Sequence, residues 1–112
     1  MANDVMQSFE LSELLTRHDD AGKAWMEFLR VPSLSTGIYR LPAGGVDPQQ
    51  PHNEDEIYYV ISGAGSFTCE GETISASTGS TIYVAARAEH RFHDITQDLT
   101  ILVFFAPAEQ ED

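Results

Sequence analysis

Cationic side chains are scarce in this chain of 112 residues: six Lys and Arg stand against eighteen Asp and Glu, a formal net charge of −12. A field of that sign repels phosphate backbones and anionic headgroups, which argues against nucleic-acid and membrane partners. Cysteine is nearly absent. The lone Cys69 rules out an internal disulfide framework, and with no obvious neighbouring cation it reads as a small apolar residue, not a reactive thiol. No apolar run approaches the roughly 20 residues of a membrane span. Met1-Ala2-Asn3-Asp4 offers neither a basic nor an apolar leader region, so a cytoplasmic protein is expected.

What is present fits one globular domain over 1–112. Hydrophobic residues make up 42%, enough to build a core at this length. Residues 1–23 read as an arm, either a short helix with Ser8 as N-cap and acids in its first turn, or an extended segment. His18 beside Asp19 and Asp20 reads as a solvated turn residue. Strands are expected over 24–31, 35–41, 57–61, 81–84 and 99–105, with a hairpin of 66–69 and 72–75 about Glu70-Gly71. Short strands punctuated by Gly and Pro favour an antiparallel sandwich or barrel, spanning about 24–107. The run 99–105 is apolar on both faces, so its outer face needs a cover, and a second subunit would supply one. Residues 108–112 read as an acidic tail, with 109–112 expected to be disordered.

The chemistry concentrates where loop meets strand. His52 and Glu56 lie four apart, and His90 follows a later strand. Two imidazoles and one carboxylate with open positions suit divalent iron, manganese, nickel or zinc. Strand alternation directs Glu56, Tyr58 and Val60 one way and Ile57, Tyr59 and Ile61 the other. It also groups His90, Phe92 and Asp94 against Arg91, His93 and Ile95.

At these residues the chain resembles the cupin family. Gly44, Gln50, His52, Glu56 and Gly63 fall on the spacing of the first cupin motif, with Gln50 at the place of its first His. Gly79 and His90 match the second motif, whose usual Pro, Gly and Asn are replaced by Ala85, Arg87 and Asp94. The resemblance implies an all-β double-stranded β-helix, a jelly-roll barrel with the His90 face inside, and family habit adds a homodimer. It also implies a metal held by His52, Glu56 and His90, with Gln50 as a fourth ligand or a loop hydrogen-bonding residue. The departures leave metal identity, and metal binding itself, open.

Glu54 and Asp55 read as a solvated acidic rim or, alternatively, as an accessory ligand or general base, with Glu54 also a pocket candidate. Tyr58, Phe92 and Tyr83 read as core, with Tyr58 and Phe92 as pocket candidates and the Tyr58 hydroxyl as a polar handle. His93 is expected to face solvent or a subunit. One functional reading is a small-molecule metalloenzyme; family analogy allows dioxygenation, isomerisation, decarboxylation or lyase chemistry. Another is a non-catalytic module binding a metal or small ligand. A third is a structural dimer whose polar cluster is a satisfied hydrogen-bond network.

Overall fold

The computed structural model describes residues 5–110. One helix, α1 (Leu11–Ala21), precedes six strands: β1 (Trp25–Val31), β2 (Leu34–Leu41), β3 (Asp55–Cys69), β4 (Glu72–Ser77), β5 (Thr81–Val84) and β6 (His90–Ala106). Every pairing is antiparallel, in the order β1-β2-β6-β3-β4 with β5 beside β3. The short, Gly-punctuated strands lead one to expect an antiparallel sandwich or barrel, and this is the jelly roll that the family resemblance implies.

β3 and β6 are long because each changes partners along its length. The first part of β3 lies between the end of β6 and β5; its second part pairs the start of β6 and β4. Register slips between Val60 and Ser66 mark the bend. Gly63 sits there at φ 105, and a Cβ would collide with the Asp98 carbonyl of β6, so only glycine lets the strands cross this corner. Along β3 the alternation holds: Glu56, Tyr58 and Val60 are buried, while Asp55, Ile57 and Tyr59 are exposed. The β3–β4 hairpin turns at Glu70 and Gly71, both at positive φ as a two-residue type I′ turn requires.

The interior is filled by Tyr58, Val60, Phe67, Phe92, Leu99, Ile101, Val103 and Phe105, joined by Tyr39, Leu41, Ile82 and Val84. The Phe67 and Phe92 rings pack at 4.7 Å, and Tyr58 meets Phe92 at 5.1 Å. Such close aromatic packing makes the inner half of the barrel stiff, and the polar groups described below sit on that floor.

Five expectations are corrected. The helix starts at Leu11 with Glu10 as N-cap, not Ser8. His18 is buried, its ring bonded to the Ala24 carbonyl at 2.7 Å, because α1 lays Leu14 and His18 against the sheet. Tyr83 is 62% exposed, since its register partner Ile57 belongs to the outer face. Asp94 adopts φ 47, which breaks the alternation of β6, leaving Asp94 exposed and Ile95 buried. The expected tail is ordered through Gln110: Ala108 is buried, and the Glu109 and Gln110 amides bond Ser35 Oγ and Glu54 Oε2. Glu111 and Asp112 lie outside the described residues, as do Met1 to Asp4.

Candidate metal centre

The loop from Pro42 to Glu54 crosses the barrel mouth, and one buried carboxylate anchors it. Asp47 accepts the Tyr39 hydroxyl at 2.6 Å, the Gln49 amide nitrogen at 2.7 Å and the Phe92 backbone N–H at 2.9 Å. These donors come from β2, the loop itself and β6, so a single side chain ties three elements together. Burial, then the bond to Asp47, pushes the Tyr39 phenol far above its ordinary pKa, and it remains a donor.

The anchored loop presents Gln49 to the interior. Because its amide nitrogen serves Asp47, its oxygen must face the other way, where it accepts the Tyr58 hydroxyl at 2.9 Å. His52 Nε2 lies 3.3 Å from that same oxygen. The backbone of His52 is fixed from below by the Arg87 N–H, which donates to its carbonyl at 2.6 Å. Arg87 holds φ 68 here, the left-handed geometry for which the motif ordinarily supplies glycine.

Glu56 and His90 meet His52 from β3 and β6. His90 Nε2 lies 2.9 Å from Glu56 Oε1, and both side chains are 1% exposed. Ligand atoms of His52, Glu56 and His90 all lie within 4.8 Å of one another. The expected trio is therefore brought together from a loop, the start of β3 and the start of β6.

The contact between His90 and Glu56 is close, yet its angles are not those of a hydrogen bond. His90 Nε2 and the second Glu56 oxygen are both buried without a hydrogen-bond partner. His90 Nδ1 is 2.9 Å from the Ala88 carbonyl, an obligate acceptor, so Nδ1 carries a proton. In the neutral ring Nε2 is then a lone pair with a carboxylate oxygen 2.9 Å away. Two buried acceptors facing each other need a cation or an added proton between them. His52, Glu56 and His90 thus fit a divalent transition metal by donor type and spacing, and the outer bond of His90 is the kind that orients a metal-ligating imidazole.

Electrostatics describe the alternative occupant, a proton. Burial works against charge on His90, but the Glu56 carboxylate beside it and the Ala88 carbonyl outweigh it and its pKa is raised. The His52 pKa is raised chiefly by the Glu109 carboxylate 3.1 Å away, against a smaller opposing effect of burial. Tyr58 is pushed well up by burial and then by the Glu56 charge, so its hydroxyl is a donor, not a base, at neutral pH.

Three placements differ from the sequence reading. Gln50 is exposed on a surface depression beside Glu70, Glu89 and Arg91, and its neighbour Gln49 carries the amide to His52 and Tyr58. Glu54 is buried, not a solvated rim residue, and receives the Gln110 amide; Asp55 is exposed and accepts the Ala86 N–H. Glu109, not anticipated at all, puts a carboxylate 3.1 Å from His52 Nδ1. Tyr58 and Phe92 are both buried beside the cluster, Tyr58 lining a cavity of about 210 Å³ with Trp25, Tyr39, His52, Phe105 and Glu109. His93 lies on the outer face, half-buried, bonded to Thr68 and Asp94.

Comparison with known proteins agrees with this fold. Residues 37–105, more than half of the chain, match the Cupin domain family. An uncharacterized protein of Streptomyces coelicolor is 42% identical over 104 residues, covering 93% of this chain and 99% of that protein. An RmlC-like cupin of Methanocaldococcus jannaschii with a double-stranded β-helix fold superposes with a TM-score of 0.68 at 20% identity, over 74% of this chain and 78% of that one. A DMSP lyase of Ruegeria pomeroyi gives 0.67 at 20% identity, over 78% of this chain but only 49% of the lyase. At these identities the solved structures speak for the fold alone. Among the described residues no helix is long and apolar enough to cross a membrane.

Proposed function

The chain belongs to the cupin family, and on that premise we propose that it is a metal-dependent enzyme acting on a small molecule, with His52, Glu56 and His90 holding one divalent transition metal ion at the barrel mouth. The observation that carries this reading is the buried His90 Nε2 facing Glu56 at 2.9 Å without a hydrogen bond. Iron, manganese, nickel and zinc all suit the donor set. When bound, such an ion supplies Lewis acidity at its open positions.

The chain's own residues describe the ligand. The cavity beside the cluster is walled by Trp25, Tyr39, Tyr58, Val103 and Phe105, with Gln49, His52 and Glu109 as its polar lining. No Lys or Arg lines it among the described residues, so an anionic group remote from the metal would have no partner. A small, largely apolar molecule with a single oxygen-bearing group directed at His52 and His90 fits best. The Tyr58 hydroxyl, which donates to Gln49, keeps a lone pair that can accept a hydrogen bond from that group.

The test is metal content of protein purified without chelator, beside Glu56→Ala and His90→Ala. About one equivalent in the parent chain and loss in both variants is the expected result; unchanged stoichiometry in either variant would sink the ligand assignment. We extend the proposal to a cytoplasmic homodimer. Its support is the outer face of β3, β5 and β6, where Ile57, Tyr59 and Tyr83 are exposed beside half-buried Leu102 and Phe104. Sedimentation showing only monomer at micromolar concentration would remove the dimer.

A further inference from the structure

The cavity beside the cluster combines aromatic walls with one acid. Trp25, Tyr39, Tyr58 and Phe105 line it, and among the described residues no Lys or Arg does. Its volume of about 210 Å³ matches the share of liquid taken by roughly seven waters. The Tyr39 hydroxyl donates to Asp47 and the Tyr58 hydroxyl to Gln49, so neither has an O–H left to give a ligand. Trp25 and Phe105 meet at 5.8 Å with their planes at 82°, two rings forming a corner. Trp25 packs there because β2 carries glycine opposite it: a Cβ on Gly37 would collide with the indole.

Glu109 supplies the acid. Its N–H donates to Ser35 Oγ at 2.9 Å and its carbonyl accepts from Arg30 Nη2 at 2.6 Å, so β1 and β2 fix the backbone that carries the carboxylate. The carboxylate stands 3.1 Å from His52 Nδ1, an ion-pair distance, and its side chain is 22% exposed. The ring nitrogen of His52 that makes a hydrogen bond is the other one, Nε2, to the Gln49 amide oxygen. A metal-ligating His52 is neutral and gives Glu109 no countercharge. Arg30, in the adjoining depression, is engaged by both Glu27 oxygens at 2.8 and 3.0 Å. A largely buried carboxylate is costly unless paired, and the cavity it lines has no cationic side chain to pair it among the described residues.

We propose that this cavity takes an organic cation: a small molecule whose alkylated ammonium group lies against the Trp25, Tyr39 and Phe105 rings beside the Glu109 carboxylate, its oxygen-bearing end toward His52 and His90. The inference rests on the metalloenzyme reading above and names the substrate class. A cation over an aromatic face is drawn by the ring quadrupole, most strongly where water is excluded, and alkylated ammonium groups are recognised in this way. The carboxylate adds a countercharge that a neutral ligand cannot use. The net charge of −12 favours the approach of such a cation.

Trp25 is the chain's single tryptophan, so its indole reports on the cavity directly. The experiment titrates the metal-free full chain, above the pH at which His52 titrates, with choline and with its neutral isostere, the alcohol in which a tert-butyl group replaces trimethylammonium. Trp25 fluorescence and the indole ¹⁵N shift are followed. Choline is expected to bind about 30-fold more tightly than the alcohol. Glu109→Gln, which keeps the backbone bonds, should weaken choline about tenfold and leave the alcohol unchanged. Glu72→Gln, which removes an equal charge from exposed β4, should change neither. Equal affinity for the two probes, no saturable choline binding, or unchanged choline affinity in Glu109→Gln would overturn the proposal. So would an equal loss in Glu72→Gln, the mark of general attraction to an acidic surface. These titrations need no metal, so cobalt(II) uptake is measured separately. A chain that takes up no cobalt contradicts the metal reading by itself, and the choline preference still decides the ligand class.

Discussion

Of the carboxylates buried at the barrel mouth, Asp47 in the loop and Glu56 at the start of β3 are treated oppositely by their surroundings. Asp47 is saturated, with donors from Tyr39, Gln49 and Phe92. Glu56 faces a ring nitrogen that offers it no hydrogen bond, and its second oxygen has no hydrogen-bond partner. Both are nearly inaccessible to water, at 6% and 2% exposure. Since burying an ion is costly unless it is paired, the saturated carboxylate reads as architecture and the unsaturated one as a place kept for a cation.

The largest expected effect comes from breaking the saturated side. Asp47→Ala strands three donors at once and should cost about 3 kcal/mol or more of folding stability, measured by urea denaturation. Glu56→Gln should separate the two roles. It removes a buried, poorly satisfied charge, so the metal-free protein should keep its stability within about 1 kcal/mol or gain some, while metal uptake falls away. Loss of stability in Glu56→Gln comparable with Asp47→Ala would show that both carboxylates are structural.

A pH series sharpens the contrast. His52 and His90 titrate above the ordinary 6.5 in the folded chain. Protonation therefore favours the folded metal-free state, and this contribution is complete below a pH of about 6.5 and lost as pH rises through the raised values. Thermal melts of metal-free protein should show that decline. Glu56→Gln should flatten the part due to His90, and bound metal, which displaces the protons, should suppress the decline. The smallest contrast is between neighbours: Gln50→Ala should leave stability within about 0.5 kcal/mol, as for an exposed side chain, whereas Gln49→Ala should cost roughly 1 kcal/mol or more by unpairing Tyr58.

Much of the fold was legible because strand alternation is a local signal. Glu56, Tyr58 and Val60 alternate with Ile57 and Tyr59 as a half-buried strand must, and Glu70-Gly71 announces its own turn. The His52, Glu56 and His90 trio was legible through its donor chemistry and motif spacing. The rest depended on contacts that no local pattern carries. Between Pro48 and Pro51 the chain has no period-two rule, so nothing in the residues told which glutamine turns inward. Asp47 reads as an ordinary loop acid until Phe92 and Tyr39 are brought to it. Asp94 escapes the alternation through a single positive φ. Glu109 looked like the start of a solvated tail, because Arg30, Ser35 and Glu54 become its neighbours only after the barrel has closed.

The central claim is that Glu56 and His90 share a cation. Anomalous scattering from crystals grown without chelator, recorded across the absorption edges of iron, manganese, nickel and zinc, tests it most directly. The account predicts one peak at about 2.0–2.3 Å from His90 Nε2 and a Glu56 oxygen, with His52 completing the trio. No peak after soaking with each ion, and Glu56 instead joined to a doubly protonated His90, would contradict it.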